Sequence, residues 1–190
     1  MRTITTKRLR LIPVTPANAG VLWEVLQEPD LRDYQDLPDL GLEQFLGSVA
    51  SRPIRLEPGV TGRFEWLVYV GNGNEAVGWV SLRITERTRS TGEVGYSVVR
   101  AYRGRGIASE SVAALVEEAF TTAQLRRVRA YCVPENVSSR AVLRRNRFED
   151  DGMLPHGATV QGQPVDVIAY TLERDRWSAA LKSARSATGS

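Results

Sequence analysis

The chain has 190 residues, 42% apolar and 25% charged, with a net charge of +3. That length suits one domain with a substantial core, and so slight a positive surplus is not the field of a nucleic-acid binder. A single cysteine, Cys132, excludes an intrachain disulfide framework, and a single histidine, His156, excludes a multi-histidine metal site, so no metal is expected and chemistry falls to carboxylates, hydroxyls, backbone amides or a bound cofactor.

Taken in chain order, Thr6-Lys-Arg-Leu-Arg-Leu-Ile-Pro13 alternates Leu9 and Leu11 against Arg8 and Arg10, a strand pattern. Thr15 before Pro16 predicts a helix running to about Leu26, and a second helix is expected over Leu42–Ser51. Between them, 28–41 reads as a loop or broken helix rich in acids, including Asp30, Asp33 and Asp36. Three strands follow. Phe64–Val70 is joined by the turn Gly71-Asn-Gly-Asn74 to Ala76–Ile84, and Thr91-Gly92 leads into Glu93–Val99. After Gly106 the period changes to that of a helix: Ile107, Val112, Leu115 and Ala119 share a face. A strand at Arg127–Val133, a helix at about Ser138–Arg145 and strands near Phe148–Leu154 and Val165–Leu172 complete the order. One β-α-β unit preceded by hairpin-linked strands predicts an α/β (α+β) fold with a mixed sheet. Residues 1–180 form one expected domain, with 181–190 a flexible polar tail.

Location follows from what the ends lack. The N-terminus has no signal-peptide pattern and no apolar run spans a membrane, so the expected location is cytoplasmic, with no membrane or nucleic-acid partner.

The strongest chemical signal is Arg103-Gly-Arg-Gly-Ile-Ala108, which joins a strand to a helix. A helix N-terminus presents unpaired N–H groups and partial positive charge, Gly104 and Gly106 allow close backbone approach, and Arg103 and Arg105 add guanidinium forks. That combination suits a pyrophosphate. The Gly-x4-Gly-Lys-Ser/Thr loop of nucleoside triphosphatases is absent. A dinucleotide-binding reading, with Ser109 in the third small position and Glu135 as the ribose carboxylate, would need several successive β-α-β crossovers, and only one is present.

The surrounding segment Glu93-Val-Gly-Tyr-Ser-Val-Val-Arg-Ala-Tyr-Arg-Gly-Arg-Gly-Ile-Ala-Ser-Glu110 resembles the acyl-CoA-binding segment of the GNAT acetyltransferases. Asn136-Val-Ser-Ser139, the helix after it and Phe148 resemble that superfamily's next element. The opening Thr6–Leu11 and the closing Asp166–Leu172 with Trp177 resemble its ribosomal-protein alanine acetyltransferase (RimJ/RimL-like) branch. Two positions depart from the pattern: Ala101 stands where Gln or Arg is usual, and Arg147 where glycine precedes Phe148.

The resemblance implies a mostly antiparallel twisted sheet splayed between the strands at 93–99 and 127–133, flanked by helices, with acetyl-CoA as co-substrate. It implies direct acetyl transfer to a primary amine, a protein N-terminal α-amine or a small-molecule amine. Ser97, Val98 and Val99 would meet the pantetheine together with Asn136. Arg103, Gly104, Arg105, Gly106, Ile107 and Ala108 would hold the pyrophosphate. Glu93 is the implied base, weighed against a solvated carboxylate after a turn, and Ser139 the implied acid, weighed against ordinary capping of that helix by Asn136 or Ser138. Trp66, Tyr96 and Asp33 are candidate acceptor contacts, and the acidic 28–39 segment could draw in a cationic acceptor. A longer acyl donor, a non-catalytic acyl-CoA sensor and a nicotinamide oxidoreductase stay open as alternatives, and a homodimer is compatible with the resemblance.

Overall fold

A computed structural model describes residues 1–35, 40–88 and 90–188. The strands are β1 (Ile4–Thr5), β2 (Leu9–Pro13), β3 (Gly62–Val70), β4 (Ala76–Ile84), β5 (Thr91–Val98), β6 (Arg127–Cys132), β7 (Glu149–Val160) and β8 (Gln163–Glu173). The helices are α1 (Ala19–Leu26), α2 (Leu42–Ala50), α3 (Ile107–Thr121), α4 (Val137–Arg145) and α5 (Arg174–Thr188). They build one eight-stranded sheet in the order β1-β2-β3-β4-β5-β6-β8-β7. Every neighbouring pair is antiparallel except β5–β6, which the α3 crossover makes parallel.

Alternation along the strands divides the core in two. Phe64, Trp66 and Val68 of β3, Val80 and Leu82 of β4 and Val128 and Ala130 of β6 face α3 and α4. Leu67, Tyr69 and Trp79 face α1 and α2 on the other side. Those two short helices reach only the first half of the sheet, so beyond β4 that second face carries no helix among the described residues.

The β5–β6 pairing stops early. Cα partners run Thr91↔Arg127, Gly92↔Val128 and Glu93↔Arg129, and there the register ends although both strands continue. The sheet therefore opens after the Glu93–Arg129 rung, which is the expected splay.

Local departures from the sequence reading have identifiable causes. The first helix begins at Ala19 rather than beside Pro16, because the Asn18 side chain turns backward, accepting from the Thr15 N–H at 2.7 Å and donating to the Pro13 carbonyl at 3.0 Å. His156, read as a loop residue, is exposed within β7, which with β8 forms a long hairpin closed at Gln161-Gly162, both at positive φ. The segment read as a tail from residue 181 is helical through Thr188, in keeping with its alanines and basic residues. Asp36 lies outside the described residues.

Candidate active site

A cleft of about 430 Å³ occupies the mouth of the opening. One wall is the 3₁₀ turn Pro29–Asp33 and the residues after it; the other is the N-terminal ends of α3 and α4, with the end of β5 as floor. Because β6 has departed, the main-chain edge of β5 there is paired with no strand. The carbonyls of Tyr96 and Val98, two residues apart, accept from Gln35 Nε2 at 3.3 Å and Arg103 Nε at 2.8 Å. The Val99 N–H instead donates to the Val77 carbonyl of β4 at 2.9 Å. By the two-residue alternation of a strand, the main chain of Ser97 also points to β4. Ser97 and Val98 both line the cleft as expected, with the amides on its side being those of Val98 and, by the same alternation, Tyr96; Val99 alone of the implied pantetheine contacts does not line it.

At the glycine bend, Gly104 and Gly106 lie at φ of +73° and +77°, values that strongly disfavour ordinary side chains. Gly106 is the N-cap of α3, and no side chain among the described residues caps that end, which leaves first-turn N–H groups available to an anion. Ile107 and Ala108 line the cleft behind it. The donor set therefore fits a diphosphate. The bend is braced from far away in sequence: Arg8 Nη1 donates to the Arg105 carbonyl at 3.0 Å, and Arg8 Nε meets Glu110 at 2.6 Å. Glu110 also accepts from the Thr6 hydroxyl at 2.6 Å. The Thr6–Arg8 pattern in the sequence points to a strand and gives no sign of this brace.

The two arginines of the bend are not free charges. Arg103 clasps Asp30 through both terminal nitrogens, at 2.5 and 3.1 Å, and this holds the Asp30 carboxyl below its usual range. Arg105 stacks over the Tyr102 ring, 5.3 Å from its centre, and does not line the cleft. The acidic segment thus contributes Asp30 to a latch over the cleft, with Asp33 exposed on the lining beside Tyr34 and Gln35. Tyr34, Gln35 and Arg145 were not singled out from the sequence; only their neighbourhoods, an acidic loop and an arginine-rich helix, carried a signal.

Asn136 caps α4, its Oδ1 accepting from the Ser139 N–H and the Ser138 hydroxyl, both at 2.9 Å. That is the ordinary structural role, and Asn136 also lines the cleft. Ser139 Oγ lies 2.8 Å from the Tyr96 hydroxyl, which also donates to the Ser139 carbonyl at 3.1 Å. The Tyr96–Ser139 pair ties the β5 floor of the cleft to its α4 wall. Burial pushes the Tyr96 phenol well above its ordinary value, so it remains a protonated donor. Cys132 is buried, its thiol raised chiefly by that burial, and it does not line the cleft.

Two candidates stand elsewhere. Trp66 is 1% exposed in the α3-side core, its indole N–H donating to the Arg2 carbonyl at 3.1 Å, so it cannot touch an acceptor in the cleft. Its strand parity, which fits a core position, outweighs its aromatic character. Glu93 sits at the last paired rung with its carboxylate 2.7 Å from Arg83 Nη2, on the face away from α3 and α4 and outside the cleft lining.

This assembly of bend, uncapped helix end and released strand edge is what the resemblance leads one to expect, and the description "Acetyltransferase (GNAT) domain" matches residues 8–149. The chain belongs to the GNAT acetyltransferase family. As a member of it, the protein is an N-acetyltransferase. The uncharacterized N-acetyltransferase p20 of Bacillus licheniformis is 28% identical over 174 residues, spanning 90% of this chain and 96% of that protein. The ribosomal-protein-serine acetyltransferase of Escherichia coli is 30% identical over 97 residues, 51% of this chain and 54% of that one. Among solved structures, the RimL ribosomal L7/L12 α-N-protein acetyltransferase in complex with coenzyme A shares the GNAT fold with a TM-score of 0.79. It is 24% identical and covers 92% of this chain and 99% of its own. No helix among the described residues is long and apolar enough to cross a membrane.

Proposed function

We propose that this GNAT enzyme transfers the acetyl group of acetyl-CoA to the α-amine of a protein N-terminus. The observation that carries this reading is the released edge of β5, which leads from the bare N-terminus of α3 to the Ser139 hydroxyl. A cofactor bearing a diphosphate at one end and a thioester at the other suits those two ends. The first-turn amides of α3 would bind the diphosphate, the main chain of Tyr96 and Val98 would line up the pantetheine amides, and the Asn136 side-chain amide would add a further bond.

Acyl transfer requires three services from the protein. An ammonium cannot attack, so a base must take its proton. Glu93 is the carboxylate at the vertex of the opening and does so through water, since it faces the side away from the helices. As the carbon–nitrogen bond forms and the carbon–sulfur bond breaks, a main-chain N–H at the Ser139 end of this edge stabilises negative charge on the carbonyl oxygen. Ser139 then gives its proton to the departing sulfur and recovers one from solvent as the products leave, while the Tyr96 hydroxyl it already contacts holds it in place. The protein acceptor is supported by the ribosomal-protein acetyltransferases among the relatives and structural neighbours.

The test is thiol release from acetyl-CoA in the presence of short peptides with free N-termini and a set of small amines, with the modified nitrogen located by fragment mass spectrometry. The expected product carries acetyl on the peptide α-amine. Faster turnover of a small amine than of every peptide would replace the proposed acceptor, and thioester binding without any turnover would indicate a sensor.

A further inference from the structure

The rung that ends the β5–β6 pairing belongs to a transverse row. Register partners run Arg63↔Arg83, Arg83↔Glu93 and Glu93↔Arg129 across β3, β4, β5 and β6. These four side chains share the face away from α3 and α4, because Val94 and Val128, their neighbours along the strands, are buried on the α3 side. The row holds three arginines and one glutamate. Arg63 is taken by Glu65 at 2.9 Å and Arg83 by Glu93 at 2.7 Å. Arg129 is left over: its Nε is buried and has no hydrogen-bond partner among the described residues.

A second cavity, about 180 Å³, lies over this row. Arg83, Glu93 and Arg129 form part of its lining, together with the hydroxyl residues Thr85, Thr88 and Thr91. Arg129 lines this cavity with no ion-pair partner among the described residues, a charge that a carboxylate entering the cavity would meet with a charge-assisted bond. Next to it, on an adjacent strand about 4.8 Å away, stands a carboxylate. The pair presents minus and plus side by side, the complement of an ammonium accompanied by a carboxylate.

We infer that this cavity is the acceptor subsite and that it selects amines carrying a carboxylate a few bonds away, such as a peptide N-terminus followed by an acidic residue. The inference rests on the proposed acetyl transfer through the opening. It places the ammonium at Glu93 and the carboxylate at Arg129, with the threonine hydroxyls as further donors. It also reverses the sign of acceptor expected from the acidic 28–39 segment, whose Asp30 is spent on Arg103.

The test uses peptides identical except for Asp, Asn or Lys at the second position. Their binding to the CoA-loaded protein is measured by calorimetry and their KM by turnover. The Asp peptide should bind about tenfold or more tighter than the Lys peptide, the difference one charge-assisted hydrogen bond provides. Arg129→Gln should erase that preference, Arg129→Lys should keep part of it, and the affinity for CoA should stay unchanged in both. Equal binding of the three peptides to the wild-type protein overturns the inference without recourse to any variant, as does a preference that survives Arg129→Gln. Tight binding of the Asp peptide with no acetylation would uphold this subsite while refuting the proposed peptide acetylation.

Discussion

On one side of β5 the cleft offers main-chain groups: the Val98 and Tyr96 edge and the first turn of α3. On the other, the transverse row offers side chains, with Glu93 and Arg129 beside each other and Arg83 behind. Main-chain donors are supplied by the fold and tolerate many sequences provided the glycines remain. Side-chain donors change with every substitution. The difference explains why a diphosphate-binding bend can be recognised in a single sequence, whereas the features that choose the acceptor are particular to this chain.

The largest expected effect probes the junction of the two regions. Glu93→Gln should lower kcat by about 10²- to 10⁴-fold at neutral pH with little change in acetyl-CoA affinity, measured by steady-state kinetics. Unchanged kcat/KM across pH would remove Glu93 from the chemistry and leave it as the partner of Arg83. Trp66→Ala should cost about 3–5 kcal/mol in denaturant unfolding, since it empties a core position. The milder Trp66→Phe should leave the KM of every acceptor where it was, and a shifted KM would return Trp66 to the acceptor side.

Gly106→Val tests the main-chain region. A β-branched residue at φ +77° is strained, and its Cβ would crowd Arg8 Nη2 at 3.3 Å. Acetyl-CoA binding should weaken by about 1–3 kcal/mol, read by calorimetry.

How much of this could be read beforehand depends on the range of the interaction. The bend, its helix and the strand on either side are contiguous, so spacing and period revealed Gly104, Gly106 and the order of the elements. The row is different. Arg63, Arg83, Glu93 and Arg129 come from four strands, and only the register brings them together. Glu93 was noticed through the resemblance, while Arg129 was one arginine among many. The Asp30–Arg103 latch was equally hidden, because 73 residues separate the partners. Trp66 and Val99 were misplaced for a local reason: an aromatic ring and a strand-end amide carry no label saying which face or which neighbour they address.

Titration separates the bridging pair from the rest. Because burial raises the Tyr96 pKa above that of the unfolded chain, its contribution to stability is complete below about pH 10. It is lost as pH rises from there, where the unfolded chain ionises first. Unfolding free energy should therefore decline less steeply above that pH in Tyr96→Phe than in the wild type. Ser139→Ala at neutral pH should reduce kcat without altering this alkaline slope by as much.

The smallest effect concerns the latch. Asp30→Asn frees Arg103 for a phosphate, so CoA should bind a few-fold tighter, within the roughly 0–1 kcal/mol of an exposed ion pair. Weaker binding would mean that ordering the Pro29–Asp33 turn matters more than the released charge.

The clamp of Thr6 and Arg8 on Glu110 and the Arg105 carbonyl couples donor binding to how the chain assembles. A peptide spanning only residues 91–133 would contain both glycines and the whole crossover helix, yet nothing to grip the bend from outside. Competence to hold the thioester carrier should therefore emerge late in refolding, after the Thr6–Arg8 turn between β1 and β2 has closed a loop of about a hundred residues. Fluorescence-detected ligand capture during refolding should lag behind the recovery of helical circular dichroism.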